Sequence, residues 1–474
     1  MSQTLIRNAT IVTMDKDDRI LANAAILFEG ETIKAIGETA IAGAGHDAQV
    51  IDATDKIIIP GLINAHIHMW QTALRGYGMD WTGVEHHLHM QTEFVPVFTP
   101  DQMRLSEFAG GLSLLNGGVT SVFEWCHGNR TPDHSDAAIE GLQDAGIRSL
   151  FIHGTVKTLP HEGEVHFSQV PHPAAEARRL RARHSSDGGM MGLALGILGP
   201  DYSPVEICRQ DFALADELGL WSSAHVSGKP GKVEGGYRRL KAEGILTGKH
   251  NVVHANSMED DEIALLLDND CTITATSSTE ISGGSKAPLV SRVIALGGRP
   301  SIGNDSESAM AGSMLEAMRQ SLMIDRLFHN ISRDAVSKGP GQAATNAVYR
   351  GMPLPPRKNP GAYEALKWAT IDNAKSVGME AFIGSLELGK KADIVMVDAL
   401  APNLTPGLDP VEAVVGYADA ANIEAIWVNG TLQKWDFKLL NPSARSAAKA
   451  LRDTALTVLE NAGRRELITH RFTG

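Results

Sequence analysis

From Ile57 onward, short apolar runs alternate with amphipathic stretches. The runs fall at 57–68, 119–127, 147–154, 191–199, 219–227, 250–255, 270–276 and 299–305. Between them lie segments such as SDAAIEGLQDAGI and MEDDEIALLLDN, whose apolar residues recur at helical spacing. Strand–helix units repeated eight times over about 250 residues predict an α/β fold, a (β/α)8 barrel, in which catalytic groups collect at the carboxyl ends of the strands. The ends of the chain are patterned differently. TLIRNATIVTMD, AILFEGETIKAIG and QVIDATDKIII read as short strands with polar or glycine turns, as do ADIVMVDA and EAIWVNGTLQKWD near the carboxyl end. They are expected to pair into one small β-sandwich. A last stretch, NPSARSAAKALRDTALTVLENAG, has helical spacing and predicts a closing helix or a subunit contact.

The first apolar run carries the most specific chemistry. It closes on His66 and His68, and because residues i and i+2 of a strand point to the same side, both imidazoles can face one ion. The plainer reading of that pair is two polar residues on a half-exposed strand. Further candidates at strand spacing weigh against it: His225 ends LGLWSSAHV, His254 ends KHNVVHA and Asp305 ends GGRPSIGND. Three histidines and a carboxylate from strands 1, 5 and 8 would meet at the mouth of a barrel and leave a position open for water.

These residues and their surroundings, PGLINAHIHMWQTALRG, VVHANSM, PSIGND, ALKWATIDNAKSVGM and GSLELGKKADIVMVD, resemble the metal-dependent amidohydrolase superfamily, in the branch of cytosine deaminase, guanine deaminase and the triazine hydrolases. The resemblance runs through nearly the whole chain. It implies that His66, His68, His225 and Asp305 bind a single divalent ion, most simply zinc with iron or manganese as alternatives, and that His254 sits beside it. It also implies a discontinuous sandwich of residues 1–56 and 384–440, a catalytic barrel over 57–383 and a helical segment over 441–474. Such an ion lowers the pKa of a bound water toward 7. Asp305 is then the natural acceptor for the water proton, and His254 can donate to the atom that develops charge.

One departure from the family pattern bears on function. Deaminases of this branch carry a glutamate three residues after the strand-5 histidine, which protonates the ring nitrogen, whereas here Gly228 stands at that position. Glu280, in ATSSTEISGG after strand 7, is the best replacement, with a solvated loop acid as the equal alternative. Glu124 is a weaker one. Relatives with two metals bridge them by a carboxylated lysine at the end of strand 4, and GLALGILGPDYS has none. Lys157, in HGTVKTL, could reach the mouth but lies past the end of strand 3. A mononuclear site is therefore expected.

Substrate contacts follow from position. Trp70 and Gln71 come directly after His68, where an indole face can stack on a flat ring and a carboxamide can donate and accept. Trp81, His86, His87 and His89 follow; their density invites a second-metal reading, against which pocket lining or surface is the plainer one. Trp125, His127 and His153 end strands 2 and 3 and stand evenly between pocket and packing, while Cys126 is more simply a buried thiol.

Composition narrows the classes. A chain of 474 residues, 43% hydrophobic, can bury a large core. The net charge of −13 disfavours a nucleic-acid partner, because phosphate neutralisation needs a basic surface. No apolar run approaches the roughly 20 residues of a membrane span, and no leader pattern opens the chain. Cys126, Cys208 and Cys271 are odd in number and scattered, so no disulfide framework is expected. The expectation is a cytoplasmic homo-oligomer acting on a small molecule. Three functions stay open: hydrolysis of a C–N bond of a nitrogen-containing ring by deamination, hydrolysis of an amide, urea or carbamate, and a catalytically silent binding protein.

Overall fold

The computed structural model describes residues 2–184, 188–226, 231–283, 286–336 and 360–464. The expected strand of residues 57–68 is two strands, Lys56–Pro60 and Leu62–His68, which belong to different sheets. Gly61 is the switch point. Its N–H donates to the Asp393 carbonyl at 2.9 Å, and the Leu62 N–H donates to the Gly118 carbonyl at 3.0 Å, so consecutive residues bond to different layers. A Cβ on Gly61 would stand 1.9 Å from the Thr120 hydroxyl oxygen, which is why the corner takes no side chain.

Lys56–Pro60 bridges the two ends of the chain. It runs parallel to Gln3–Val12 on one edge and antiparallel to Ile394–Asp398 on the other. The strands of both termini thereby form a single nine-stranded sheet, through Ile20–Glu29 and Thr32–Ile36 on one side and Ile423–Val428, Thr431–Trp435 and Lys438–Leu439 on the other. The sequence predicts a small β-sandwich from these strands; among the described residues they share one sheet. Apolar side chains including Ile6, Ile11, Ile26, Phe28, Ile58, Ile394 and Trp427 make one core on this sheet.

The second sheet is parallel and curled. Its strands follow chain order, Leu62–His68, Val119–Cys126, Arg148–Gly154, Met191–Gly196, Ser222–His225, His250–Val253, Thr272–Ala275 and Ser301–Ile302. Gly303 and Asn304 interrupt the last of these, and the chain resumes at Asp305–Ser306, which pairs with the first strand through Asp305 opposite Ile67 and Ser306 opposite His68. Helices such as Pro100–Asn116, Pro132–Ala145, Val205–Glu217 and Asp260–Leu267 connect the strands. Pro100–Asn116 starts where it does because the Thr99 hydroxyl accepts the Gln102 N–H while the Gln102 side chain accepts the Thr99 N–H, with Pro100 in the first turn.

A buried ion pair joins the two sheets. Arg148, at the start of the third curled-sheet strand, gives Nε to Asp393 Oδ2 at 2.8 Å and Nη2 to Asp393 Oδ1 at 3.1 Å, and also reaches Asn429 Oδ1 and the Gly189 carbonyl. The final helix, Ala444–Asn461, packs on Pro100–Asn116. Among the described residues, no helix is long and apolar enough to cross a membrane.

Candidate metal centre and its cavity

His66, His68, His225 and Asp305 converge at the carboxyl ends of their strands, one donor atom from each lying within 4.8 Å of the others. His68 Nε2 is 3.2 Å from His225 Nε2 and 3.3 Å from Asp305 Oδ1, and His66 Nε2 is 3.4 Å from Asp305 Oδ1. Donors at metal–ligand bonds of 2.0–2.1 Å stand about 3.4 Å apart along a tetrahedral edge. The spacing therefore fits one small divalent ion. Unmet polarity points the same way. Both ring nitrogens of His66 and Nδ1 of His225 are buried without a hydrogen-bond partner among the described residues, a state that is costly unless something else occupies the nitrogen.

The surroundings fix which nitrogens face the centre. The Trp125 carbonyl can only accept, so His68 donates Nδ1–H to it at 2.6 Å and keeps the Nε2 lone pair for the centre. His254 is oriented similarly, with Nδ1 2.8 Å from the Thr276 hydroxyl and Nε2 3.6 Å from Asp305 Oδ1. Protonation states suit ligation. Burial holds His66 down to about 3 and His225 well below the usual imidazole range, the latter helped by the charge of Lys157. Burial would raise Asp305, but the imidazoles of His254, His66 and His68 that face it keep it well below the carboxylate range. Neutral imidazoles beside an ionised carboxylate are the ligand forms.

His68, His225, His254 and Asp305 line the floor of a cavity of about 550 Å³. Its wall includes Trp81, His86, His87, His127, Lys157, Tyr202, Glu280 and Ser306. Glu280 sits in the first turn of Ser277–Gly283, and its Oε1 accepts the Thr276 N–H at 2.7 Å. Protein encloses its carboxyl, and this burial pushes it up to about 8, aided by the charge of Asp305, so that it holds its proton at neutral pH. The Gly228 position, where the expected glutamate is missing, lies outside the described residues.

Trp70 and Gln71 are placed differently from expectation: neither lines the cavity. Met69–Leu74 coils into a 3₁₀ turn toward the core instead of opening as a loop, and both side chains are fully buried. Trp70 donates its indole N–H to His127 Nδ1 at 3.1 Å, while Gln71 Oε1 accepts from the Ser306 and Ser308 hydroxyls. They act behind the wall. Since indole can only donate, His127 is an acceptor at Nδ1 and presents Nε2–H on its other edge. Trp125 is buried against the His225 ring, centroids 4.3 Å apart. His153 pairs with His172 at 3.0 Å, and Cys126 is buried. Glu124 Oε2 accepts the Met69 N–H at 2.6 Å beneath the first strand. His89 is held by Glu93 at 2.8 Å, and among the described residues it forms no ligand cluster with His86 and His87. Tyr202 was missed. Its signal is an aromatic ending the fourth strand–turn unit, in GILGPDYS.

A family model for the amidohydrolase family matches residues 57–432. A 5-methylthioadenosine/S-adenosylhomocysteine deaminase from Symbiobacterium thermophilum is 28% identical over 433 residues, covering 88% of this chain and 90% of that protein. Among solved structures, an atrazine chlorohydrolase from Arthrobacter aurescens complexed with zinc superposes with a TM-score of 0.78 at 20% identity, over 95% of this chain and 100% of that one. An adenosine deaminase from Xanthomonas campestris with bound zinc gives 0.76 at 19% identity, over 97% and 99%. With the family match covering most of the sequence, the chain belongs to the amidohydrolase family and is a hydrolase acting on carbon–nitrogen bonds.

Proposed function

We propose that this cavity hydrolytically deaminates a small nitrogen-containing ring compound, with one divalent ion, zinc by default, held by His66, His68, His225 and Asp305. The observation that carries the reading is the convergence, in one cavity, of that donor set with an imidazole, His254, and a carboxyl that keeps its proton, Glu280. When bound, the ion supplies a water acidified toward neutral pH. Asp305 accepts the proton of that water and carries it to the departing nitrogen. His254 directs Nε2 at the oxygen that adds to the ring carbon. Glu280 gives its proton to the neighbouring ring nitrogen, which lets the ring accept the electron pair of the attacked C=N bond. The new C–O bond replaces the broken C–N bond, ammonia leaves with the proton from Asp305, and the added hydroxyl gives up its remaining proton to Glu280, which leaves the ring carbonyl and restores the carboxyl. Deaminase activity in the relative from Symbiobacterium thermophilum supports this choice of reaction.

The same reading treats the curled sheet as a closed (β/α)8 barrel over 57–383, with 1–56 and 384–440 as one discontinuous terminal domain and 441–474 as an appended helical segment. A second reaction, hydrolysis of an amide, urea or carbamate, is favoured by one observation: no glutamate stands at position 228. Ammonia release from aminated heterocycles, against amine release from anilides and ureas, separates the two. Ammonia release that is lost on chelation supports deamination. Amine release alone transfers the site to the second reaction, and metal binding without turnover of either panel would leave a binding protein.

A further inference from the structure

Lys157 has no evident task in that chemistry. It follows the third curled-sheet strand, Arg148–Gly154, and lines the cavity while being 5% exposed. Its main chain is pinned by an N–H to Gln91 Oε1 bond of 3.3 Å. Its Nζ lies 4.1 Å from the centroid of Tyr202 and 5.9 Å from that of Trp125. Among the described residues no carboxylate stands within ion-pairing distance of it. The other lysine of the wall, Lys286, is different, because Glu259 Oε1 is 2.8 Å away.

A buried ammonium is retained when something compensates it, and two aromatic faces compensate only in part. The rest of the wall offers no anion. Burial holds His86 down to about 4 and His127 and His225 well below the imidazole range, Glu280 holds its proton, and Asp305 is turned toward His66, His68 and His254. The charge of Asp201 acts on Lys157 without an ion pair, so the cavity carries a cation with no carboxylate in ion-pairing range among the described residues, on a wall that includes Tyr202 and with room for a ligand in its volume of about 550 Å³. Burial lowers the amine only to about 8, which leaves it charged at neutral pH.

We propose that Lys157 is an anion subsite, and that the substrate carries a carboxylate that reaches Lys157 while its ring lies over the metal centre. The proposal rests on the deaminase reading for the reaction but not for the binding. Aminated aromatic rings bearing a carboxylate are compared with their carboxamide counterparts, which match in shape and differ in charge. In wild-type enzyme loaded with zinc, kcat/KM should favour the carboxylate on the order of 10²-fold, the scale of a buried charge pair losing one partner. Lys157→Met should remove that preference mainly through KM, and Lys157→Arg should restore part of it.

If no member of the pair is turned over, calorimetric binding of both to wild type and Lys157→Met keeps the test open, since lost preference for the carboxylate supports the subsite even where the reaction is wrong. A wild-type enzyme indifferent to the carboxylate would overturn the proposal without any variant. Equal loss of kcat for both compounds in a folded Lys157→Met, with loss of an alkaline limb, would overturn it too and make Lys157 a proton donor.

Discussion

Replacing Glu280 by Gln separates proton delivery from mere contact, and it does so through two independent readouts. The carboxyl is raised by burial from 4.5 to about 8. At about 1.4 kcal/mol per pH unit, that rise corresponds to a ceiling of roughly 5 kcal/mol against ionising it in the folded protein. The residue keeps part of its surface on the cavity, and the hydration it retains there makes the realised figure smaller. The sign follows from linkage. Below 4.5 both folded and unfolded chains bind the proton, so the carboxyl costs nothing. Between 4.5 and about 8 the unfolded chain releases the proton while the folded chain holds it, and stability falls as pH rises. Glutamine cannot ionise. Glu280→Gln should therefore match wild type in urea unfolding near pH 4.5 and become progressively more stable than it up to about pH 8, with no further divergence above. Turnover should move oppositely, falling on the order of 10²-fold or more, and the alkaline limb of the kcat profile near pH 8 should vanish. That limb in kcat distinguishes Glu280 from Lys157, whose titration belongs in KM for an anionic substrate. Survival of the limb in Glu280→Gln, or a variant no more stable than wild type at pH 8, would refute the assignment; raised KM with kcat kept would make Glu280 a binding group.

The remaining expectations are shorter. Purified protein should carry about one divalent ion per chain by elemental analysis, and chelation should abolish turnover and lower Tm, since four converging donors lose their common partner; two stoichiometric ions would contradict the single centre. Asp305→Asn should reduce kcat on the order of 10²-fold or more while circular dichroism stays unchanged, because the amide cannot accept the water proton. Arg148→Met should destabilise the fold by about 3–5 kcal/mol in urea, as Asp393 would be left buried without its partner; a change below about 1 kcal/mol would show that the two sheets do not depend on this pair.

The convergence of the candidate donor set was legible because it is built from strand ends, and a strand end is a local property. His66 and His68 needed only the two-residue period of an extended chain, and His225, His254 and Asp305 each needed only an apolar run that stops. Trp70 and Gln71 misled because their direction depends on the turn that follows, and nothing in MWQTAL shows that it coils inward until helix Pro100–Asn116 is packed beside it. Trp70 then reaches the site at one remove, by holding His127. The approach of Lys157 to Tyr202 was hidden for a related reason: they come from different strand–turn units, and their proximity is a product of the curled sheet. The split of residues 57–68 left only the Pro60-Gly61 pair as a trace in the sequence, because both halves are equally apolar and their membership of different sheets follows from packing at Gly61.

The backbone shows why these strand ends can serve chemistry at all. His254 and Asp305 both adopt left-handed conformations, with φ of 73° and 69°, which cost residues other than glycine about 1–2 kcal/mol each. Neither is at a tip where glycine could have relieved the strain, because glycine would remove the imidazole or the carboxylate. The strain is held by specific bonds. The His254 N–H donates to the Thr274 carbonyl, the Gly303 N–H to the Ala275 carbonyl and the Asn304 N–H to the His66 carbonyl, so the last strand is locked across the first just before Asp305 turns. Gly303 makes that crossing possible, since a Cβ there would come 2.5 Å from the His66 carbonyl oxygen. Strained residues persist where the surroundings over-determine them, and here the sheet does so at the two positions that must aim Nε2 and Oδ1 at the same point. The rigid sheet hydrogen bonds thus offset the strain, and Asp305 stands ready beside His66 and His68 before any ion or substrate arrives, as a preorganised site requires.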